Sequence, residues 1–121
     1  MIKKSLSETP HFVAGDATII REVLHPKNDG LDIPYSLAFA ELPVGATSLA
    51  HIIAERSELY IIQEGEGKAF VGDETATVKA GDVVLIPANV RQYIKNVGTT
   101  PLRFWCVVAP AWDVSAETVE S

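Results

Sequence analysis

From Ala17 to Ala109 the chain is divided into short runs rich in β-branched and aromatic residues, and that rhythm limits the folds open to it. The runs are Ala17–Leu24, Tyr35–Leu42, Ser48–Ala54, Leu59–Gln63, Lys68–Val71, Thr75–Val78, Val83–Ile86, Gln92–Asn96 and Leu102–Ala109. Turn-forming residues separate them: Lys27-Asn-Asp-Gly30, Gly65-Glu-Gly67, Gly72-Asp73, Ala80-Gly81-Asp82 and Val97-Gly-Thr-Thr-Pro101. Glycine and asparagine supply positive φ at such places, and aspartate bonds its own backbone. Strands repeating about every eight to twelve residues build a sandwich or a closed barrel. No stretch keeps apolar residues at helical spacing for three turns between a start and a stop signal. The segment Ala109–Ser121 contains Pro110 and turns acidic, which predicts no more than a short terminal turn.

A chain of 121 residues fits one domain. Its hydrophobic share of 47% against 21% charged is that of a sequence with a core to bury. The expected layout is an N-terminal arm over 1–16, a barrel over 17–110 and a C-terminal tail over 111–121. The formal charge of −6 argues against nucleic acid, since the ten Lys and Arg residues are scattered rather than clustered. Met1-Ile-Lys-Lys-Ser has no apolar run behind it, so neither a signal peptide nor a membrane span is expected, and the cytoplasm is the expected compartment. The single cysteine, Cys106, excludes an intrachain disulfide.

Side chains two apart on a strand share a face. By that parity His51 goes with Ile53, Glu58 with Tyr60 and Ile62, and Gln92 with Ile94 and Asn96, while Leu102, Phe104, Cys106 and Val108 oppose Arg103, Trp105 and Val107. Polar groups among apolar ones on a core face need partners. His51, Glu58 and Gln92 are therefore the candidates for chemistry. A shared metal ion satisfies all three, and so does mutual hydrogen bonding; spacing puts His51 and Glu58 opposite one another across a hairpin.

These residues lie within a pattern that resembles the two motifs of the cupin superfamily. Gly45, His51, Glu58 and Gly65 match the first motif, with Ile53 where a second histidine belongs. Gly81, Pro87 and Asn96 match the second, with Asn89 in place of a glycine and Gln92 in place of a histidine. The resemblance covers about Ala17 to Pro110 and implies an all-β fold, the cupin double-stranded β-helix, a jelly-roll-like β-barrel. It also implies a metal site with two of the usual ligands changed. The set that remains is His51, Glu58 and Gln92, and it suits a divalent Mn, Fe, Zn or Ni ion rather than copper(I).

Tyr60 shares the face of Glu58, making the two the candidate catalytic pair. Cys106 has no basic neighbour on its face and reads as a buried, inert thiol. His25, before Pro26, and His11 read as surface residues, while Arg21 and Arg91 are either solvated or available to an anionic substrate. Trp105 and Trp112 are candidates to cover the barrel or a partner subunit. Three functions follow: a metal-dependent enzyme on a small organic or sugar-type substrate, isomerase or epimerase before oxygenase; a metal-free small-ligand-binding module; and a structural scaffold. A homodimer is expected, with the Ala17–Leu24 strand and its arm covering an exposed sheet edge.

Overall fold

The computed structural model describes residues 1–120. Its strands are β1 (Phe12–Val13), β2 (Ile19–Leu24), β3 (Ser36–Leu42), β4 (His51–Ile53), β5 (Ser57–Glu64), β6 (Glu66–Val71), β7 (Glu74–Lys79), β8 (Val83–Ile86), β9 (Gln92–Asn96), β10 (Leu102–Ala109) and β11 (Glu117–Val119). One short helix, α1 (Pro26–Asp29), and two single-turn 3₁₀ segments complete the fold. All strand pairings are antiparallel. They form a six-stranded sheet in the order β1-β2-β3-β10-β5-β8 and a five-stranded sheet in the order β11-β4-β9-β6-β7. No helix among the described residues is long and apolar enough to cross a membrane.

The inner faces follow strand parity. Leu102, Phe104, Cys106 and Val108 of β10 are buried, as are Tyr60 and Ile62 of β5, Ile94 of β9 and Ile86 of β8. Leu42, Ala69 and Val78 close the core between the sheets. Each large apolar side chain fully buried there contributes about 1.5–3 kcal/mol of burial free energy.

Motif residues outside the pocket have structural work. The Asn96 amide donates to the carbonyls of Leu42 and Thr100, at 3.0 and 2.9 Å, and its oxygen accepts from Gly98 N at 2.9 Å, which fixes the turn into β10. Asn89 stands at φ 67°, a left-handed conformation open to asparagine as to glycine, and accepts from Glu55 N at 3.0 Å. Gly65 links β5 to β6 at φ 89°, with Pro101 O only 2.7 Å from where a Cβ would sit.

Both ends of the chain carry strands that periodicity did not reveal. β1 lies in the arm and pairs with β2, while β11 lies in the tail and pairs with β4. His25, expected at the surface, is buried instead: its Nε2 donates to Trp112 O at 2.7 Å and its Nδ1 accepts from Lys27 N. The imidazole thus ties α1 to the start of the tail.

Candidate functional site

Three strands, β4, β5 and β9, bring the three candidate polar residues together. His51 begins β4, and its direct cross-strand partner is Gln92, which begins β9. Glu58 comes from β5 in the other sheet. The hairpin expected between His51 and Glu58 is absent, because the chain crosses from one sheet to the other between β4 and β5. The two residues instead face each other across the barrel interior, with His51 Nε2 3.9 Å from Glu58 Oε1. His51 Nδ1 lies 3.1 Å from Leu49 O and donates to it, leaving Nε2 directed at Glu58. Tyr60, one strand residue pair along from Glu58, donates its hydroxyl to Gln92 Oε1 at 2.7 Å.

Glu58 Oε1 is buried and has no hydrogen-bond partner among the described residues. An unpaired buried carboxylate oxygen is among the most expensive features a core can hold. Burial raises the Glu58 carboxyl above its usual range, with His51 pulling the other way. For His51, burial works against the imidazolium, but the Glu58 carboxylate, the Leu49 carbonyl and Asp16 outweigh it and raise the pKa to about 9. Burial, reinforced by Glu58, also holds the Tyr60 hydroxyl and the Cys106 thiol well above their ordinary values. Tyr60 is therefore a proton donor in hydrogen bonds rather than a base, and Cys106 a neutral wall residue.

The polar group sits in a cavity of about 110 Å³ whose walls include Ala38, Ala40, Ile53, Ile94, Phe104 and Cys106. Ile53, at the position of the missing histidine, is buried in that wall. Sequence parity missed two members of the site. Asp16, at the end of the arm, places Oδ2 3.8 Å from His51 Nδ1, and Glu117 reaches the cavity from β11 while accepting from Trp112 Nε1 at 3.1 Å. No pattern internal to β4 or β5 points to either. Arg21 and Arg91 do not line the cavity; Arg21 donates to Thr9 O and Arg91 pairs with Glu120.

The His51–Glu58 pair has a pH signature. With the His51 pKa raised from 6.5 to about 9, the stabilisation from its charged form is complete below pH 6.5 and is lost as pH rises through about 9. An NMR titration of metal-free protein is expected to show the His51 ring changing near pH 9, and Glu58→Gln is expected to bring that midpoint down. A His51 midpoint at or below 6.5 in the unaltered protein contradicts this geometry.

The two-sheet antiparallel barrel is a fold shared with known proteins. The cupin domain family matches residues 38–108. This chain belongs to the cupins. An uncharacterised protein of Methanocaldococcus jannaschii is 36% identical over 112 residues, spanning 93% of this chain and 89% of the relative. Among solved structures, a predicted oxalate decarboxylase of Thermotoga maritima superposes with a TM-score of 0.80 at 22% identity, covering 90% of this cupin and 99% of that protein. Streptomyces Pac13, a nucleoside dehydratase, superposes with a TM-score of 0.79 at 17% identity, covering 99% of this chain and 91% of Pac13. At these identities the structures establish the fold, which in cupins hosts unrelated chemistries.

Proposed function

We propose that this cupin holds a divalent cation among His51, Glu58 and Gln92 and binds a small organic molecule beside it. The observation that carries the reading is the buried, unpartnered Glu58 Oε1, 3.9 Å from His51 Nε2. Glu58 Oε1 and His51 Nε2 would hold a cation, which would satisfy the orphaned oxygen and compete with the proton on the imidazole. The donor chemistry fits, with one condition. Among the described residues no three His, Cys, Asp or Glu side chains are grouped to hold an ion, so the third donor is the Gln92 amide oxygen. That oxygen accepts from Tyr60 and keeps a second lone pair.

When bound, the ion supplies Lewis acidity toward a carbonyl or hydroxyl of the ligand. The chain's own residues do the rest. Leu49 O fixes the His51 ring, Tyr60 OH fixes Gln92, and the apolar wall excludes water. Glu58 and Tyr60 are the proposed catalytic residues, Glu58 as proton acceptor and Tyr60 as donor, for a proton transfer of the isomerase or epimerase type. The decarboxylase and dehydratase that share the fold have names that also point to small organic substrates. A metal-free binding pocket is the second reading; it is favoured by the Tyr60–Gln92 bond, which satisfies the amide oxygen without an ion. Metal analysis of the protein beside His51→Ala separates the two.

The reading includes a homodimer. Its support is the outer face of the six-stranded sheet, where Val83, Ile61 and Trp105 are aligned across β8, β5 and β10, with Leu85, Leu59 and Val107 in the next row. Val83 and Leu85 are exposed on an edge strand, which invites pairing or cover. Arg103 on the same face, bonded to Glu41 and Glu64 at 2.7 Å each, offers both charge signs to a two-fold-related copy. The apolar face, more than the two-residue β1 edge, is the proposed contact. Size-exclusion chromatography with light scattering is expected to give a dimer at micromolar concentration, and a monomer after Val83→Glu with Leu85→Glu. A monomeric unaltered protein contradicts it.

A further inference from the structure

We infer that the pocket selects a small organic cation, such as a primary amine, over an anion. The inference rests on the pocket being a binding site, and not on the metal. Four carboxylates line the cavity, those of Asp16, Glu22, Glu58 and Glu117, and no Lys or Arg lines it. Among the described residues His51 is the one lining side chain able to carry positive charge, and Glu58, 3.9 Å from its Nε2, stands against that charge, which leaves Asp16, Glu22 and Glu117 for a ligand. An acidic rim alone is what a solvated surface also presents. Glu58 differs, because it is only 7% exposed and its Oε1 meets no donor among the described residues, so an acceptor oxygen is held inside the cavity without a hydrogen-bond partner.

The remaining walls suit the same ligand. Tyr60 and Phe104 are tilted against each other at 4.8 Å in the deep part, and Phe12 and Trp112 line the cavity from the arm and the tail. Aromatic faces attract cations and do nothing comparable for carboxylates. An anion entering here meets like charges in a water-poor space, a repulsive element that sets specificity as strongly as any attraction. A divalent ion at His51, Glu58 and Gln92 would offset only part of this, since Asp16, Glu22 and Glu117 are not among its donors. The basic residues that would recruit an anion are engaged elsewhere, Arg91 with Glu120 at 2.8 Å and Arg103 with Glu41 at 2.7 Å. The same carboxylates disfavour a dicarboxylate ligand for this cupin.

The cavity has room for a molecule of roughly four to six non-hydrogen atoms. The test uses three branched probes that differ in charge: isobutylamine, isobutanol and isobutyrate. Each is titrated into chelator-treated protein at pH 7 by ligand-observed NMR, and again into zinc-loaded protein whose metal content is measured. Isobutylamine is expected to bind at least tenfold more tightly than isobutyrate in both samples. Glu117→Gln and Asp16→Asn, checked for folding by circular dichroism, are each expected to shrink that ratio at least threefold. Isobutyrate binding as well as the amine, a ratio unmoved by both substitutions, or no binding by any probe at high millimolar concentration overturns the inference. Zinc occupancy is read independently, so an amine preference without metal, or metal without an amine preference, shows which of the two readings failed.

Discussion

Gly65→Ala is expected to destabilise the protein by about 3–5 kcal/mol, enough to unfold a domain of ordinary stability or leave it marginal. Two independent terms add at this position. The backbone sits at φ 89°, where an L side chain is strained, and the new Cβ would lie 2.7 Å from Pro101 O and 3.0 Å from Leu102 Cα, both main-chain atoms that cannot rotate aside. Gly45 provides the comparison. Its φ is 78°, yet nothing lies within 4 Å of its absent Cβ, so Gly45→Ala carries the conformational term alone, about 1–2 kcal/mol. Urea denaturation of both variants measures the gap. Equal losses would mean that the close approach of β10 to the Gly65 turn is not what that glycine serves.

The other large effect concerns metal affinity. His51→Ala removes a donor and Glu58→Gln replaces the anionic donor with a neutral amide, and each is expected to lower divalent-metal affinity by at least about 100-fold, beyond the 10–100-fold typical of a lost supporting contact. Gln92→Ala is expected to lose about 10–100-fold. Tyr60→Phe keeps every donor and frees the Gln92 oxygen from its 2.7 Å bond, so it should retain affinity within about tenfold. Ile53→His is expected to raise affinity. Ile53 is buried, lines the cavity and shares the inner face of β4 with His51, so an imidazole there supplies the donor that this chain lacks. Calorimetric titration of Mn²⁺ and Zn²⁺ into the five variants measures the order. Binding that survives His51→Ala unchanged would place any ion elsewhere.

The barrel was legible because its cues are local. β8, β9 and β10 fall on the ranges read from the sequence, since each is a short run rich in β-branched or aromatic residues bounded by turn residues. β1 and β11 were not, because two or three residues show no period and their pairing is decided by distant partners, Ile19–Ile20 for one and His51–Ile53 for the other. Parity put His51, Glu58 and Gln92 on inner faces, where all three are buried, because each shares its face with a buried apolar residue: Ile53, Ile62 and Ile94. It did not give the way they meet. A hairpin was expected between His51 and Glu58, but the chain changes sheets there, and a change of sheet leaves no mark in alternation. Asp16 and Glu117 escaped for a related reason: both look like ordinary polar residues of an arm and a tail until those segments fold against the cavity. His25 escaped because its partner, the Trp112 carbonyl, lies 87 positions away.

Elemental mass spectrometry of protein purified without chelator or histidine tag tests the proposed metal site most directly. Near-stoichiometric Mn, Fe, Zn or Ni, absent from His51→Ala prepared in parallel, is the result expected from a cation beside the unpartnered Glu58 oxygen. Metal-free protein that also takes up none of these ions on incubation would contradict it, and would leave the His51–Glu58 pair as a proton-holding group in a metal-independent pocket.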